Sequence, residues 1–96
     1  MNVGVCRIQF RLPENTSLKG KRRVLKSITA QLKNRFNVSV AEVGDLELWQ
    51  RATIGICFIS NDRRHTDEAL QKVVNFVANG RFDIEMLDYE IEIISF

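Results

Sequence analysis

From Asn2 to Leu12 apolar and polar residues alternate, with Cys6, Ile8, Phe10 and Leu12 on one side and Arg7, Gln9 and Arg11 on the other. That period of two predicts a half-buried strand, which Pro13-Glu14-Asn15-Thr16 then ends. Leu18, Leu25, Ile28, Leu32 and Phe36 recur at helical spacing within one narrow sector, with Ser17 placed as the N-cap. A helix of about five turns follows. Val38 to Val43 reads as a short strand closed by Gly44-Asp45, and Leu46 to Gln50 as an irregular connection carrying the only tryptophan, Trp49. Ala52, Ile54, Ile56 and Phe58 alternate with Thr53, Gly55, Cys57 and Ile59 in a third strand apolar enough to be central. Ser60-Asn61-Asp62 opens a second helix whose inward residues are Thr66, Leu70, Val73, Val74 and Val77, ending at Asn79-Gly80. In a last strand, Asp83 to Phe96, Leu87, Tyr89, Ile91 and Ile93 alternate with Asp88, Glu90 and Glu92.

The order βαββαβ in 96 residues predicts a single α+β domain of the ferredoxin-like, split βαβ kind. Its four-stranded antiparallel sheet would carry both helices on one face, with strands one and three central and strand four beside strand one. The helix-covered face takes the even positions of strands one and three. The open face then receives Val3, Val5, Arg7, Gln9 and Arg11, with Thr53, Gly55, Cys57 and Ile59, and Asp88, Glu90 and Glu92. RNA-recognition modules of this topology stack bases on aromatics of the central strands. No aromatic residue stands at those positions here, so that mode is excluded, and Arg7 and Arg11 are expected to pair with Glu90 and Glu92. Val3, Val5, Ile94 and Phe96 fall together at the other end of this face. They are either a homodimer contact or scattered surface residues under the chain terminus.

Charge alters this picture of an ordinary small domain. The net charge is only +2, yet residues 1–36 hold nine basic residues against one acid, and residues 37–96 five against eleven. Five cations lie between Lys19 and Lys26, and no acid occurs between Thr16 and Ala41, so intrahelical ion pairs cannot neutralise them. On a helical wheel Arg22, Lys33, Lys26, Lys19 and Arg23 fall along one flank of the apolar stripe, spanning about 100°. Arg35 lies on the other flank. Lys21 falls inside the stripe and is expected to escape past the helix start.

Cations in the first turns oppose the helix dipole by roughly 0.3–1 kcal/mol each at low salt. A surface for phosphate or another polyanion accounts for that arrangement, and Gly20 would let a ligand approach the backbone. The competing reading is a solvated face whose long stems cover apolar surface. The candidate anion-binding residues are Lys19, Lys21, Arg22, Arg23, Lys26 and Lys33, with Trp49 and Arg51 as accessories. The area a tryptophan ring buries favours Trp49 as a lid over the core.

Two cysteines, Cys6 and Cys57, and one histidine, His65, assemble no metal site or nucleophilic set. The predicted pleat also puts Cys6 and Cys57 on opposite faces, against a disulfide. No catalytic residue, metal or cofactor is expected. The amino terminus has no charged leader followed by an apolar run, and no stretch approaches ~20 apolar residues. Cytoplasmic residence, without a membrane partner, is the expectation.

Ser17-Leu18-Lys19-x-Lys21-Arg22, Phe36 to Glu42, Trp49-Gln50-Arg51-Ala52 and Ser60-Asn61-Asp62 together make the chain resemble a small bacterial family of uncharacterised proteins, DUF503 or YlxP-like. The resemblance covers nearly the whole chain, although Gly20 stands where the family pattern has Glu. It implies a ferredoxin-like fold, no established enzyme activity, and gene neighbourhoods shared with translation and ribosome-maturation factors. The residues and the resemblance lead to one expectation: a non-enzymatic factor whose first helix contacts the phosphates of RNA or a ribosomal particle. The alternative is a homodimeric interaction module with an acidic protein partner.

Overall fold

The computed structural model describes residues 1–96. The elements are β1 (Asn2–Arg11), α1 (Leu18–Arg35), β2 (Ser39–Gly44), β3 (Arg51–Ser60), α2 (Arg63–Asn79) and β4 (Glu85–Ser95). The sheet order is β2-β3-β1-β4, and every neighbouring pair is antiparallel. This is the ferredoxin-like α+β arrangement that the order of elements predicts.

The core lies between the even face of the central strands and the two helix stripes. Cys6, Ile8, Phe10 and Leu12, with Ala52, Ile54 and Ile56, meet Leu25, Ile28 and Leu32 from α1 and Leu70, Val73, Val74 and Val77 from α2. Thr66 is buried in the same stripe because its hydroxyl is satisfied, donating to the Asp62 carbonyl at 3.0 Å and lying 2.6 Å from Ser60 Oγ. Gly4 explains how α2 sits so low on β1. A Cβ there would stand 2.5 Å from both Leu70 Cδ1 and Thr66 Cγ2, so the close approach requires glycine.

β4 departs from simple alternation. Gln9 pairs with Asp88 but Phe10 pairs with Met86, which leaves Leu87 as the extra residue of a β-bulge. Met86 therefore packs against the core, while Leu87, expected on the apolar side, is exposed. The bulge also brings Glu85 opposite Arg11 on the open face. Arg7 meets Glu90 at 2.7 Å as expected, but Arg11 meets Glu85 at 2.7 Å and not Glu92, which lies opposite Val5. Both pairs are half-exposed and contribute ~0.2–1 kcal/mol each.

Candidate phosphate-binding surface

Ser17 caps α1, its Oγ accepting from the Gly20 amide at 3.0 Å, and the first turn contains no acid. Lys19, Arg22, Arg23, Lys26 and Lys33 are all exposed. The chain has four ion pairs, Arg7–Glu90, Arg11–Glu85, Lys21–Glu42 and Arg64–Glu68, so none of these five cations has a carboxylate within reach. None of the acids of the second half of the chain forms an ion pair with the basic flank. On the opposite flank the Arg35 guanidinium lies 4.6 Å from the centroid of Phe76 on α2. The basic row lies off that flank, with Lys33 about 21 Å along the helix from Lys19, and its Arg23 lines a groove with Arg81 and Asp83 of the α2–β4 connection.

Lys21 does not join that row. Its side chain is 1% exposed, and Nζ lies 2.9 Å from Glu42 Oε2, in ion-pair contact without hydrogen-bond alignment. The same ammonium donates to the carbonyls of Asp45 at 2.7 Å, Leu46 at 3.2 Å and Arg51 at 3.2 Å. The expectation that it escapes to solvent fails because β2, the β2–β3 connection and the first residue of β3 together bring three carbonyls and a carboxylate over the apolar stripe, replacing water. Lys21 is a clamp on that connection and offers no charge to an external anion.

The clamp answers where Trp49 and Arg51 lie relative to the helix. Asn15 Nδ2 donates to both the Ser17 carbonyl at 2.7 Å and the Trp49 carbonyl at 2.5 Å, so one amide joins the helix cap to the loop. Gln50 Nε2 donates back to the Asn15 carbonyl at 3.1 Å, and the Leu12 amide donates to the Gln50 carbonyl at 2.9 Å. Trp49 is not a lid over the core, being 54% exposed, and Arg51 is exposed as well. The connection is held by its backbone, which leaves the ring outside. Gly20 also has a different role from the expected one. A Cβ there would overlap Asn15 Oδ1, so the glycine admits the Asn15 amide rather than a ligand.

Periodicity leaves Asn15, Gln50 and Glu42 unnoticed, since each acts through a contact distant in sequence. A lysine inside an apolar helical sector was the one available signal of a buried partner.

The remaining chemistry is sparse. Cys6 and Cys57 are free thiols; burial raises the Cys6 pKa to about 11. No group of three or more His, Cys, Asp or Glu side chains is placed to hold a metal, and no helix is long and apolar enough to cross a membrane. His65 is exposed near the start of α2, its ring edge-on to Phe58. A groove of about 540 Å³ between the β1–α1 and α2–β4 connections has Leu12, Val24 and Phe82 on its walls, with Glu14 and Asp83. Its carboxylates make it unsuited to an anion.

A family model described as "Protein of unknown function (DUF503)" matches residues 3–91. The chain is 39% identical over 75 residues to the uncharacterized protein YlxP of Bacillus subtilis (strain 168), covering 78% of this chain and 82% of that one. Among solved structures it resembles the de novo designed protein Foldit4, with a TM-score of 0.54 and 15% identity over 99% of this chain and 98% of that chain. It also resembles part of a VAO-type flavoprotein from Myceliophthora thermophila C1, with a TM-score of 0.55, 14% identity, and coverage of 98% of this chain and 16% of that one. At such identities the structural likeness concerns the fold alone.

Proposed function

The chain belongs to the DUF503 family of proteins of unknown function, and from that premise we propose that it is a non-enzymatic binding protein of the cytoplasm whose first helix contacts RNA phosphates in a ribosomal or translational setting. The observation that carries this reading is the uncompensated row on α1: Lys19, Arg22, Arg23, Lys26 and Lys33, all exposed and all without a carboxylate partner. Like charges so close repel one another and oppose the helix dipole at the first turns. A string of phosphates relieves both costs, and the counterions it releases make the affinity salt-sensitive and weakly dependent on sequence. Arg51 is tied to Lys21 only through its carbonyl; its side chain takes the open-face parity of β3, opposite Arg11, and does not extend the row.

The test is binding to ribosomal RNA fragments across a salt series. Log affinity should fall against log salt by about 0.7 per contacted phosphate on single strands, and the triple variant Arg22→Glu, Arg23→Glu, Lys26→Glu should abolish it. Absent affinity, or affinity unmoved by the reversal, removes the proposal.

A second reading is favoured by a separate observation. Val3 pairs with Ile59 on one side and Ile94 on the other, and Val5, Ile59, Ile94 and Phe96 are exposed beside it, Phe96 to 85%. These residues form a contiguous apolar end of the open sheet face, suited to a second copy of the chain, while the basic row would face an acidic protein. Light scattering on the wild type and on Val5→Asp tests it; an unchanged mass eliminates this contact.

A further inference from the structure

The loop between β2 and β3 exposes three large apolar side chains, Leu46, Leu48 and Trp49, and its tryptophan is the only one in the chain. An exposed indole usually signals either a mobile loop or a surface awaiting a partner. Here the backbone is fixed on every side. Lys21 Nζ holds the carbonyls of Asp45, Leu46 and Arg51, Asn15 holds that of Trp49, and the Leu12 amide holds that of Gln50. Within the loop the Leu48 amide donates to the Asp45 carbonyl at 3.0 Å, and Asp45 Oδ2 accepts from Thr53 Oγ1 at 3.0 Å. The ordering cost of this segment is met by the fold itself, so a ligand covering the ring gains its burial without that charge.

We infer that Trp49 is a stacking platform for an unpaired base, and that the protein takes single-stranded RNA, its phosphates along the basic flank of α1 and a base on the indole beside the helix cap. The inference rests on the phosphate-binding reading of α1 and names its substrate class. Two observations and one property of nucleic acids support it. The Asn15 amide joins the Ser17 and Trp49 carbonyls, which puts the backbone of Trp49 beside the cap of α1, where the cationic row starts. The sheet face used for stacking by other proteins of this topology has no aromatic in its central strands, whereas Trp49, 54% exposed, is presented to solvent by the loop tied to the helix cap. Bases in a duplex present no free face to a side chain, whereas bases in loops, bulges and ends do. An anionic membrane is the competing partner for a basic helix beside exposed leucines. Glu47 lies between Leu46 and Leu48 at the loop tip and is exposed; insertion of that tip would desolvate its carboxylate, while stacking on Trp49 leaves it in water.

Trp49 emission reports the event directly. Wild-type protein is titrated at low salt with a short single-stranded oligoribonucleotide, with a blunt duplex of the same sequence, and with vesicles of anionic phospholipid. The expected result is saturable quenching by the single strand at an affinity roughly ten-fold or more above the duplex. Trp49→Ala should lose about ten- to a hundred-fold in single-strand affinity, the range of one base–aromatic stack, with its salt slope unchanged, and Trp49→Phe should recover part of the loss. Far-ultraviolet circular dichroism and melting of both variants establish that they fold. Single-strand binding with unchanged emission, or equal affinity for the duplex, overturns the stacking inference and leaves the phosphate reading standing. A blue shift with vesicles in place of quenching by RNA overturns it in favour of a lipid surface. Failure of both nucleic acids to bind overturns it together with the phosphate reading.

Discussion

The Lys21 ammonium lies 2.9 Å from the Glu42 carboxylate with 1% of its side chain exposed, and the same nitrogen holds three carbonyls of the β2–β3 connection. A charge placed within an apolar helical sector thus becomes the tie between α1 and the loop that carries Trp49. The two lysines at the helix start, Lys19 and Lys21, have unrelated duties: one faces solvent without a partner and the other is satisfied inside the protein.

Removing Lys21 alone should be among the most damaging single changes in the molecule. Lys21→Met leaves the Glu42 carboxylate without its counter-ion and three carbonyls without their donor, and breaking a buried pair from one side costs about 3–5 kcal/mol. Urea denaturation measures it. The double variant Lys21→Met, Glu42→Leu should regain a part of the loss, because the stranded charge is gone while the carbonyls still lack a donor. Faster amide exchange at residues 46–51 should accompany both variants. A loss below ~1 kcal/mol for the single change, the range of an exposed pair, would show that the clamp is not holding.

Stability and binding should move in opposite directions at Lys19. Its side chain is exposed in the first turn of α1, where no acid is present and an anion is favoured by the dipole. Lys19→Glu should therefore raise the unfolding free energy by roughly 0.3–1 kcal/mol at low salt, an effect that fades as salt rises. The same variant should bind RNA more weakly with a shallower salt slope. A face that is merely solvated predicts the stability gain with no change in any binding measurement.

The seat of α2 on β1 can be tested at Gly4. An added methyl would press on Leu70 Cδ1 and Thr66 Cγ2, and Thr66 is fixed by hydrogen bonds to Ser60 and Asp62. Gly4→Ala should cost roughly 1–3 kcal/mol by overpacking, despite the higher strand propensity of alanine. Thermal melting would read this as a drop of about 4–8 °C per kcal/mol for a domain of this size. An equal or higher melting temperature would mean that α2 lifts off the sheet at little cost.

The elements governed by a single period were legible in the sequence. Cys6, Ile8, Phe10 and Leu12, and the α2 stripe from Thr66 to Val77, are buried as their spacing demands, because alternation and helical recurrence are local properties of the chain. What spacing does not encode is the meeting of distant segments. The bulge at Leu87 advances β4 by one residue, so that Glu85 comes opposite Arg11 and Met86 opposite Phe10; nothing in the alternation of β4 marks where that extra residue lies. Lys21 looked solvent-bound because its replacement for water, the carbonyls of residues 45, 46 and 51, lies 24 to 30 positions away. Trp49 looked like a lid because its area argues for burial, whereas hydrogen bonds from Asn15 and Leu12 fix the loop backbone and leave the ring outside. The basic flank of α1 was readable as a row, but its lack of counterions depended on where β2 and β4 placed their acids.

The two thiols should separate chemically and thermodynamically. Cys6 is buried under α2's side of the sheet with its pKa raised from 9.0 to about 11 by desolvation, while Cys57 is partly exposed on the other face. Iodoacetamide at mildly alkaline pH should add one label, at Cys57, with Cys6 reacting only after unfolding; mass spectrometry of the intact protein and its peptides reads this directly. Because the folded pKa of Cys6 is the higher one, the folded state binds more protons than the unfolded state between pH 9 and 11. The contribution is complete below pH 9 and is lost as pH rises toward 11, at about 1.4 kcal/mol per unit. Cys6→Ala lacks the titrating group, so its deficit relative to wild type at neutral pH should narrow over that window. Equal labelling of the two cysteines in the folded protein, or a deficit that stays constant from pH 8 to 11, would show that Cys6 is not held in a desolvated core.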